Sequence, residues 1–366
     1  MFLSNHGGYA DHGMKDCLNI DLTLPRRNFD LRVKTQIRTT GVTAICGPSG
    51  SGKTSLLRAL AGLETTCRGA ISLNEKPWLN QDKSLPSHQR HIGYISQSPS
   101  LFPHFDVAGN LDYARKRALG STVSERTLIQ DLGMADLLNY PVQQLSGGQA
   151  QRVALTRALM SGPSILMMDE PLSALDPSSR REILQVLQRL CPRLKIPVLY
   201  VTHSSEEVAW LADDMLYLRD GQLIRQGRPI ELLTDTQLFM ADGESALAYL
   251  EVTVQSHAEH LTHLAFENGV LRVPKMNAEP GDSLRVIIKA RDVSLALSQA
   301  TDSSILNILP ATVVRQQPCA ADAILVELEV CGHPLLSIIS DYSNRKLGLQ
   351  PGQRVFVQIK AVAIAT

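Results

Sequence analysis

Between residue 18 and about residue 230, short continuously apolar runs alternate with segments in which apolar positions recur every three or four residues. The first read as strands and the second as amphipathic helices, and their alternation predicts an α/β layer architecture. The best strand candidates are Val42–Cys46, Ile92–Ser96, Ile165–Asp169 and Val198–Thr202. Their apolar continuity predicts parallel strands buried on both faces. A stretch rich in helix formers, Pro229 to Leu250, then leads to a different texture. From Glu251 onward, period-two runs such as Ala323–Val330 and Val355–Ile364 are punctuated by Pro-Gly, Asn-Gly and Cys-Gly, which predicts an all-β second domain.

That second part contains an ungapped internal match. The segment 280-PGDSLRVIIKA-290 agrees with 351-PGQRVFVQIKA-361 at Pro, Gly, Val, Ile, Lys and Ala. Recurrent Pro-Gly turns feeding β-branched strands would explain part of it. The shared Lys-Ala ending is no part of turn chemistry and favours two similar small β units in tandem.

Composition narrows the function classes. The 366 residues leave room for two or three domains. Lys+Arg and Asp+Glu are equal at 36 each, so no global charge attracts nucleic acid. Six cysteines are scattered without a CxxC pair, which suits a reducing cytoplasm better than a zinc site or a disulfide framework. The N-terminus has no signal-peptide pattern, and no run of about 18 apolar residues predicts a membrane span.

The chemistry is carried by the first part. The segment 47-GPSGSGKT-54 fits G-x-x-x-x-G-K-[ST], follows the strand 41-GVTAIC-46 and opens a helical pattern at Lys53. Gly47, Gly50 and Gly52 allow backbone N–H groups to converge on phosphate oxygens, with Pro48, Ser49 and Ser51 completing the loop. Lys53 is expected to reach the β- and γ-phosphates of a nucleotide and the Thr54 hydroxyl to bind Mg²⁺. In 165-ILMMDEP-171 a buried strand ends in two acids: Asp169 suits the Mg²⁺ shell. Strand alternation points Glu170 the other way, towards an attacking water, as general base or water-orienting group. His203 follows the apolar strand 198-VLYVT-202 and is expected to contact the γ-phosphate, while Gln97, after another strand, suits Mg²⁺ or water. Ser146, Gly147 and Gly148 of 145-LSGGQ-149 open a helix, where N–H groups freed by two glycines make an anion site.

Taken together and in this order, these segments resemble the ATPase subunit of the ATP-binding-cassette transporters. The match covers roughly residues 18 to 235: Walker A at 47–54, the Q-loop Gln97, the signature 145-LSGGQ-149, Walker B at 165–170, the D-loop 173-SALD-176 and the switch histidine His203. The resemblance implies a P-loop NTPase domain with a helical subdomain over residues 1–240. It implies ATP and Mg²⁺ as ligands, and a homodimer in which Ser146, Gly147, Gly148, Gln149 and Asp176 serve the ATP held by the opposite protomer. An aromatic residue ahead of the P-loop stacks on adenine in this family; Phe29 is the candidate, either in that role or as a buried strand residue.

The segment 85-LPSHQRHIGYISQSPSLFPHFDVAGNLDYA-114 and the tail resemble the ATPase subunit of bacterial molybdate importers. That implies an all-β, oligomer-binding-like domain of the molybdate-binding type over residues 251–366, best matched from 302 to 366. Ser303, Ser304, Asn307 and Lys360 are its implied oxyanion ligands, Lys360 either in that role or as an edge-strand lysine that discourages pairing, whereas Leu306 and Ala361 replace an Arg and a Ser common there. The implied partners are a membrane permease and, through it, a periplasmic solute-binding protein, with no nucleic acid. The implied place is the cytoplasmic face of the inner membrane. The apolar loop from Gln97 to Asn110, with Leu101, Phe102, Pro103 and Phe105, either meets the permease or tucks into the helical subdomain. The rival readings are an importer ATPase for sulfate, a polyamine or ferric iron, and a soluble ATPase of translation or DNA repair.

Overall fold

The computed structural model describes residues 16–365 other than 28, 82, 119, 121–122, 236–237, 239–245, 321 and 361. Strands β1 (Cys17–Pro25) and β2 (Asp30–Arg38) form an antiparallel hairpin, followed by β3 (Gly41–Cys46) and helix α1 (Lys53–Leu60). After β4 (Arg68–Leu73), β5 (Lys76–Gln81) and β6 (Lys83–Ser84) come β7 (Ile92–Ile95) and three helices, α2 (Val107–Arg115), α3 (Glu125–Asp131) and α4 (Gly147–Met160). Then β8 (Ile165–Asp169), α5 (Pro177–Leu194), β9 (Pro197–Val201), α6 (Ser205–Leu211), β10 (Asp214–Arg219), β11 (Gln222–Gly227) and α7 (Pro229–Leu232) complete the first part. Its eleven strands make one sheet in the order β6-β5-β4-β1-β2-β11-β10-β3-β9-β8-β7.

From β10 to β7 every neighbour in that sheet is parallel. The predicted burial of both faces holds at every residue of β8 and β9, whereas β7, at the sheet edge, has Ile92 and Tyr94 only half-buried. Ile165 and Met167 of β8 pack with α1 and the antiparallel strands, while Leu166 and Met168 face the core shared with α4 and α5. Helix α1 is fixed at its far end by Arg90, 2% exposed, whose guanidinium donates to the Ala59 and Leu60 carbonyl oxygens at 3.2 and 2.6 Å. Buried donors on the last carbonyls suit the negative end of a helix dipole.

The second part is all-β. Strands β12 (Leu247–Ala258), β13 (Leu261–Phe266), β14 (Gly269–Pro274) and β15 (Ser283–Lys289) are followed by β16 (Val293–Ala296). The series repeats as β17 (Asn307–Ala320), β18 (Ala323–Val330), β19 (His333–Ser340), helix α8 (Asp341–Leu347), β20 (Arg354–Ile359) and β21 (Ala363–Ala365). The repeat is visible in space, with one addition: the units exchange their last strands. β16 pairs with β20 of the second unit, and β21 pairs with β15 of the first. Two antiparallel sheets therefore close over one core in which Val252 and Val286 meet Val326 and Val357.

Two expectations need correction. Val355–Ile364 is not one strand, because the chain leaves β20 after Ile359 and crosses to the other sheet. After Pro229, α7 itself ends at Leu232, and residues 247–250 already belong to β12; residues 236–237 and 239–245 of that stretch lie outside the described residues. Alternation explains why β12 starts early. Leu247 and Tyr249 enter the core of the first part, and Ala248 and Leu250 that of the second. Ile287 of β15, 1% exposed, likewise belongs to the first core, while Val286 and Ile288 belong to the second. Arg285 reinforces this seat, donating to the Ala212 carbonyl oxygen at 3.1 Å and pairing with Asp213 at 3.1 Å.

Ile287→Ala should therefore destabilise the chain by about 2–5 kcal/mol, the usual cost of emptying a buried aliphatic site. Thermal unfolding checks this, with Leu297→Ala, at a position 51% exposed, expected to leave the midpoint unchanged.

Candidate nucleotide site

The site lies at one edge of the sheet because the parallel strands end level there. Ile45 is level with Val201, Val201 with Asp169, and Ile95 with Met168. The segments leaving β3, β9, β8 and β7 carry the P-loop, His203, Glu170 and Gln97. Four stretches far apart in the chain thus converge as expected for the carboxyl edge of an α/β sheet.

In the P-loop, Gly47, Gly50 and Gly52 all have positive φ, at 142°, 79° and 103°. A Cβ on Gly47 would stand 2.0 Å from the Leu218 carbonyl oxygen, so no side chain fits; at Gly50 it would enter open space, leaving the backbone accessible. Gly52 caps α1 without a side-chain bond, so the first N–H groups of α1 have no capping acceptor there. Such a helix start attracts phosphate. Lys53, 6% exposed, donates from Nζ to the Gly47 and Pro48 carbonyl oxygens, each at 2.8 Å. Beside the loop is a cleft of about 350 Å³, lined by Arg26, Arg27 and Phe29, by Ser49, Gly50 and the run from Gly52 to Ser55, and by Glu170. A larger concavity of about 470 Å³ on the antiparallel strands, lined by Ile20, Ile71 and Leu79, holds none of these groups. Phe29 is half-buried against the core and also lines the cleft.

Asp169, 7% exposed, is held through both carboxylate oxygens: Oδ1 accepts from the Thr54 hydroxyl at 2.9 Å and Oδ2 from the Tyr94 hydroxyl at 3.2 Å. Burial pushes its pKa up, against the lowering effect of those two bonds. Burial and the nearby Asp169 charge push the Tyr94 phenol well above its ordinary value, so it stays a donor. An oxygen-only pair of hydroxyl and carboxylate next to a phosphate cradle suits Mg²⁺. Tyr94 was not singled out in the sequence; the signal was its place in 92-IGYI-95, where one polar group interrupts a buried strand.

Glu170 differs from the expected geometry. β8 ends at Asp169, and Glu170 has a φ of 47°, so a left-handed turn and not strand alternation aims its side chain. The turn is held by its N–H, which donates to the Val201 carbonyl oxygen at 3.0 Å, and by Ser173, whose hydroxyl donates to the Glu170 carbonyl oxygen at 2.9 Å. Glu170 Oε2 lies 3.5 Å from Nδ1 of His203, two residues beyond the end of β9. Gln97 is exposed after β7.

The signature forms the start of α4. The Ser146 hydroxyl accepts from the Gln149 N–H at 3.3 Å, and the Gln149 side chain accepts from the Ser146 N–H at 2.9 Å, a complete capping box. Neither glycine has positive φ. Their service is space: a Cβ on Gly148 would lie 3.1 Å from Ser179 and one on Gly147 3.3 Å from Leu175. Asp176 caps α5, accepting from the Ser178 and Ser179 N–H groups at 3.0 Å each and from the Ser178 hydroxyl at 2.5 Å; the Ser178 and Ser179 side chains foremost, with the backbone bonds, hold its carboxyl well below the usual range. Residues 145–149 do not line the cleft of their own chain's P-loop. In the adjoining loop, Asn110 is fully buried and bonds both Phe102 backbone groups, while Arg157 of α4 donates to the Ser100 carbonyl oxygen at 2.6 Å. Phe102 thus tucks against the helices, and Phe105 remains 38% exposed.

In the second part, register brings Asn307 opposite Ile359, next to Lys360. The Asn307 amide is engaged, accepting from the Arg272 N–H at 2.7 Å and donating to the Arg272 carbonyl oxygen at 2.9 Å. Ser303 accepts from the Ile305 N–H at 3.1 Å, and Ser304 and Lys360 are exposed. Ala361 lies outside the described residues.

The chain matches the family model for ABC transporters over residues 31–173 and that for the TOBE domain over residues 303–365. It is 45% identical over 356 residues to the molybdenum import ATP-binding protein ModC of Albidiferax ferrireducens, covering 95% of this chain and 96% of that one. With ModC 1 of Azotobacter vinelandii it shares 43% over 374 residues, covering 99% and 97%. Among solved structures, cbiO1 from Clostridium perfringens, part of the ABC transporter complex cbiONQ, aligns at TM-score 0.51 and 25% identity, over 61% of this chain and 93% of its own. A bacterial Atm1-family ABC exporter with ATP bound aligns at TM-score 0.50 and 26% identity, over 59% and 40%. With a P-loop cleft in its first part, a TOBE match in its second and close relatives along nearly its whole length, the chain belongs to the family of molybdenum import ATP-binding proteins, the ATPase subunits of ABC transporters.

Proposed function

We propose that this chain hydrolyses ATP as a homodimer on the cytoplasmic face of the inner membrane, and so drives molybdate through a permease fed by a periplasmic solute-binding protein. The observation that carries this reading is the split of the phosphate-binding groups. The P-loop, Asp169, Glu170 and His203 gather at one sheet edge, while the capped helix start at Ser146–Gln149 lies outside that cleft. A second copy supplies the missing half-site, with Ser146, Gly147, Gly148 and Gln149 offering N–H groups and hydroxyl to the γ-phosphate and Asp176 stationed at the same interface. No described helix is long and apolar enough to cross a membrane, so the path for the solute belongs to the permease.

Within the cleft, the P-loop N–H groups and Lys53 take the phosphates, Phe29 and the Arg26–Arg27 turn take the base side, and Thr54, Asp169 and Gln97 hold Mg²⁺. The metal supplies charge neutralisation for the transferred phosphoryl group. Glu170 orients water and accepts its proton, and His203 steadies both Glu170 and the γ-phosphate. The ATPase unit runs to about residue 240, and the β unit extends back from the expected residue 251 to Leu247. In that unit Ser303, Ser304, Asn307 and Lys360 surround the candidate oxyanion position; the Asn307 amide must leave Arg272 to take part.

Glu170→Gln should cut turnover by about 10²–10⁴-fold, the usual worth of a general base, while an ATP-bound dimer accumulates on size exclusion with light scattering. Rapid turnover in that variant refutes the assignment. Tyr94→Phe removes one bond to Asp169, worth about 0.5–1.5 kcal/mol, and should raise the Mg²⁺ concentration for half-maximal hydrolysis roughly threefold to tenfold with little change in ATP binding without metal. Calorimetry on the full chain should show molybdate and tungstate binding in preference to sulfate; equal or absent heats would leave the tail without an oxyanion site.

A further inference from the structure

Glu207, in the first turn of α6, is a buried carboxylate, 4% exposed, with no part in the chemistry described so far. Its Oε2 accepts from the Tyr200 hydroxyl at 2.8 Å and from the Thr202 hydroxyl at 2.7 Å. The Thr202 oxygen in turn accepts from the Ser204 N–H at 3.0 Å, and the Ser204 hydroxyl accepts from the Glu207 N–H at 3.3 Å. Thr202, before His203, is therefore fastened to the Glu207 carboxylate, and Ser204, after it, to Thr202 and to the Glu207 backbone, while the His203 side chain itself is 65% exposed. What sets Glu207 sets the backbone from which the histidine projects.

The other oxygen of Glu207, Oε1, faces Arg180 of α5 at 3.9 Å from Nε. That Nε is buried and has no hydrogen-bond partner. Arg180 also reaches back to the D-loop: its guanidinium lies 3.5 Å from the Leu175 carbonyl oxygen, while its backbone N–H makes the regular first-turn bond of α5 to the Asp176 carbonyl oxygen at 2.9 Å. The Arg180 side chain is 39% exposed, but its covered Nε and the buried Glu207 oxygen thus face each other about 1 Å beyond bonding distance. Charge-assisted bonds of this kind are strong once formed, so a small displacement of α5 against α6 has a large effect on the contact. A purely structural pair would be expected closed already, with both groups satisfied.

We propose that Arg180 and Glu207 form a relay that couples the D-loop to the switch histidine within one protomer. Movement of residues 173–176 against a second copy carries Arg180 onto Glu207, and Thr202 and Ser204 pass the shift to His203. Both are positioning residues; neither lines the nucleotide cleft. The relay rests on the proposed role of His203 in hydrolysis and deepens it by naming what sets the histidine.

The test is steady-state ATP hydrolysis by the full chain with Arg180→Gln, Arg180→Lys, Glu207→Gln and the double variant Arg180→Gln/Glu207→Gln. Arg180→Gln should lower kcat about tenfold or more with KM for ATP within about twofold, since a misplaced catalytic group costs rate more than binding. Arg180→Lys should recover part of the loss, and the double variant should be no slower than the slower single one, because the two groups act as a unit. A folded Arg180→Gln protein with the parent kcat overturns the relay, as does a double variant whose losses multiply. If Glu207→Gln fails to fold, the comparison of Arg180→Gln with Arg180→Lys decides alone. His203→Ala separates the two levels: parent-like turnover there overturns the underlying role of the histidine, whereas lost turnover there with full activity in Arg180→Gln overturns the relay only.

Discussion

The hydrogen bonding of four parallel strands, β3, β9, β8 and β7, is the constraint on which the site depends. Because these ladders leave Ile45, Val201 and Asp169 level, the segments that follow emerge side by side. A slip of one residue in any of them would turn its buried side chains to the wrong face, and both faces are packed. The site is thus held in place by the same apolar burial that stabilises the sheet. Asp169 shows the link directly, since its two oxygens are fixed by Thr54 from α1 and Tyr94 from β7.

Around that edge, local devices set the directions of individual groups. The left-handed turn at Glu170 breaks strand alternation just where the chemistry begins, and the Val201 and Ser173 bonds hold it there. The signature glycines serve a different end from those of the P-loop. Positive φ is needed at Gly47, Gly50 and Gly52, but at Gly147 and Gly148 the helix is regular and the absence of a Cβ lets α4 approach Leu175 and Ser179. That approach joins the signature to the start of α5, so the two segments form one unit.

The β part is no loose appendage. Strands β12 and β15 have both faces buried over Leu247–Leu250 and Val286–Ile288, one against the ATPase core and one against their own, and the last strands of its two units are exchanged. Lys289 also pairs with Glu206 at 2.9 Å in the first turn of α6, next to Glu207. The exposed ion pair is worth little by itself. The apolar seat beneath it gives the two parts a shared boundary.

The sequence by itself determined the α/β class, the all-β second part, the internal repeat and the P-loop, because apolar periodicity and glycine placement are local and survive without the fold. It also named Asp169, Glu170, His203 and Ser146 through motifs whose spacing follows from strand–turn–helix geometry. Only the tertiary structure decided where Glu170 points, that Tyr94 bonds Asp169 and Thr202 bonds Glu207, that Asn307 is clasped to Arg272, and that Val355–Ile364 divides between two sheets. The physical reason is the same in each case: these outcomes rest on partners 5 to 78 residues away, such as Thr202 for Glu207 and Val286 for Ile364, and a one-dimensional pattern carries no record of which distant group satisfies a buried polar atom or an open strand edge.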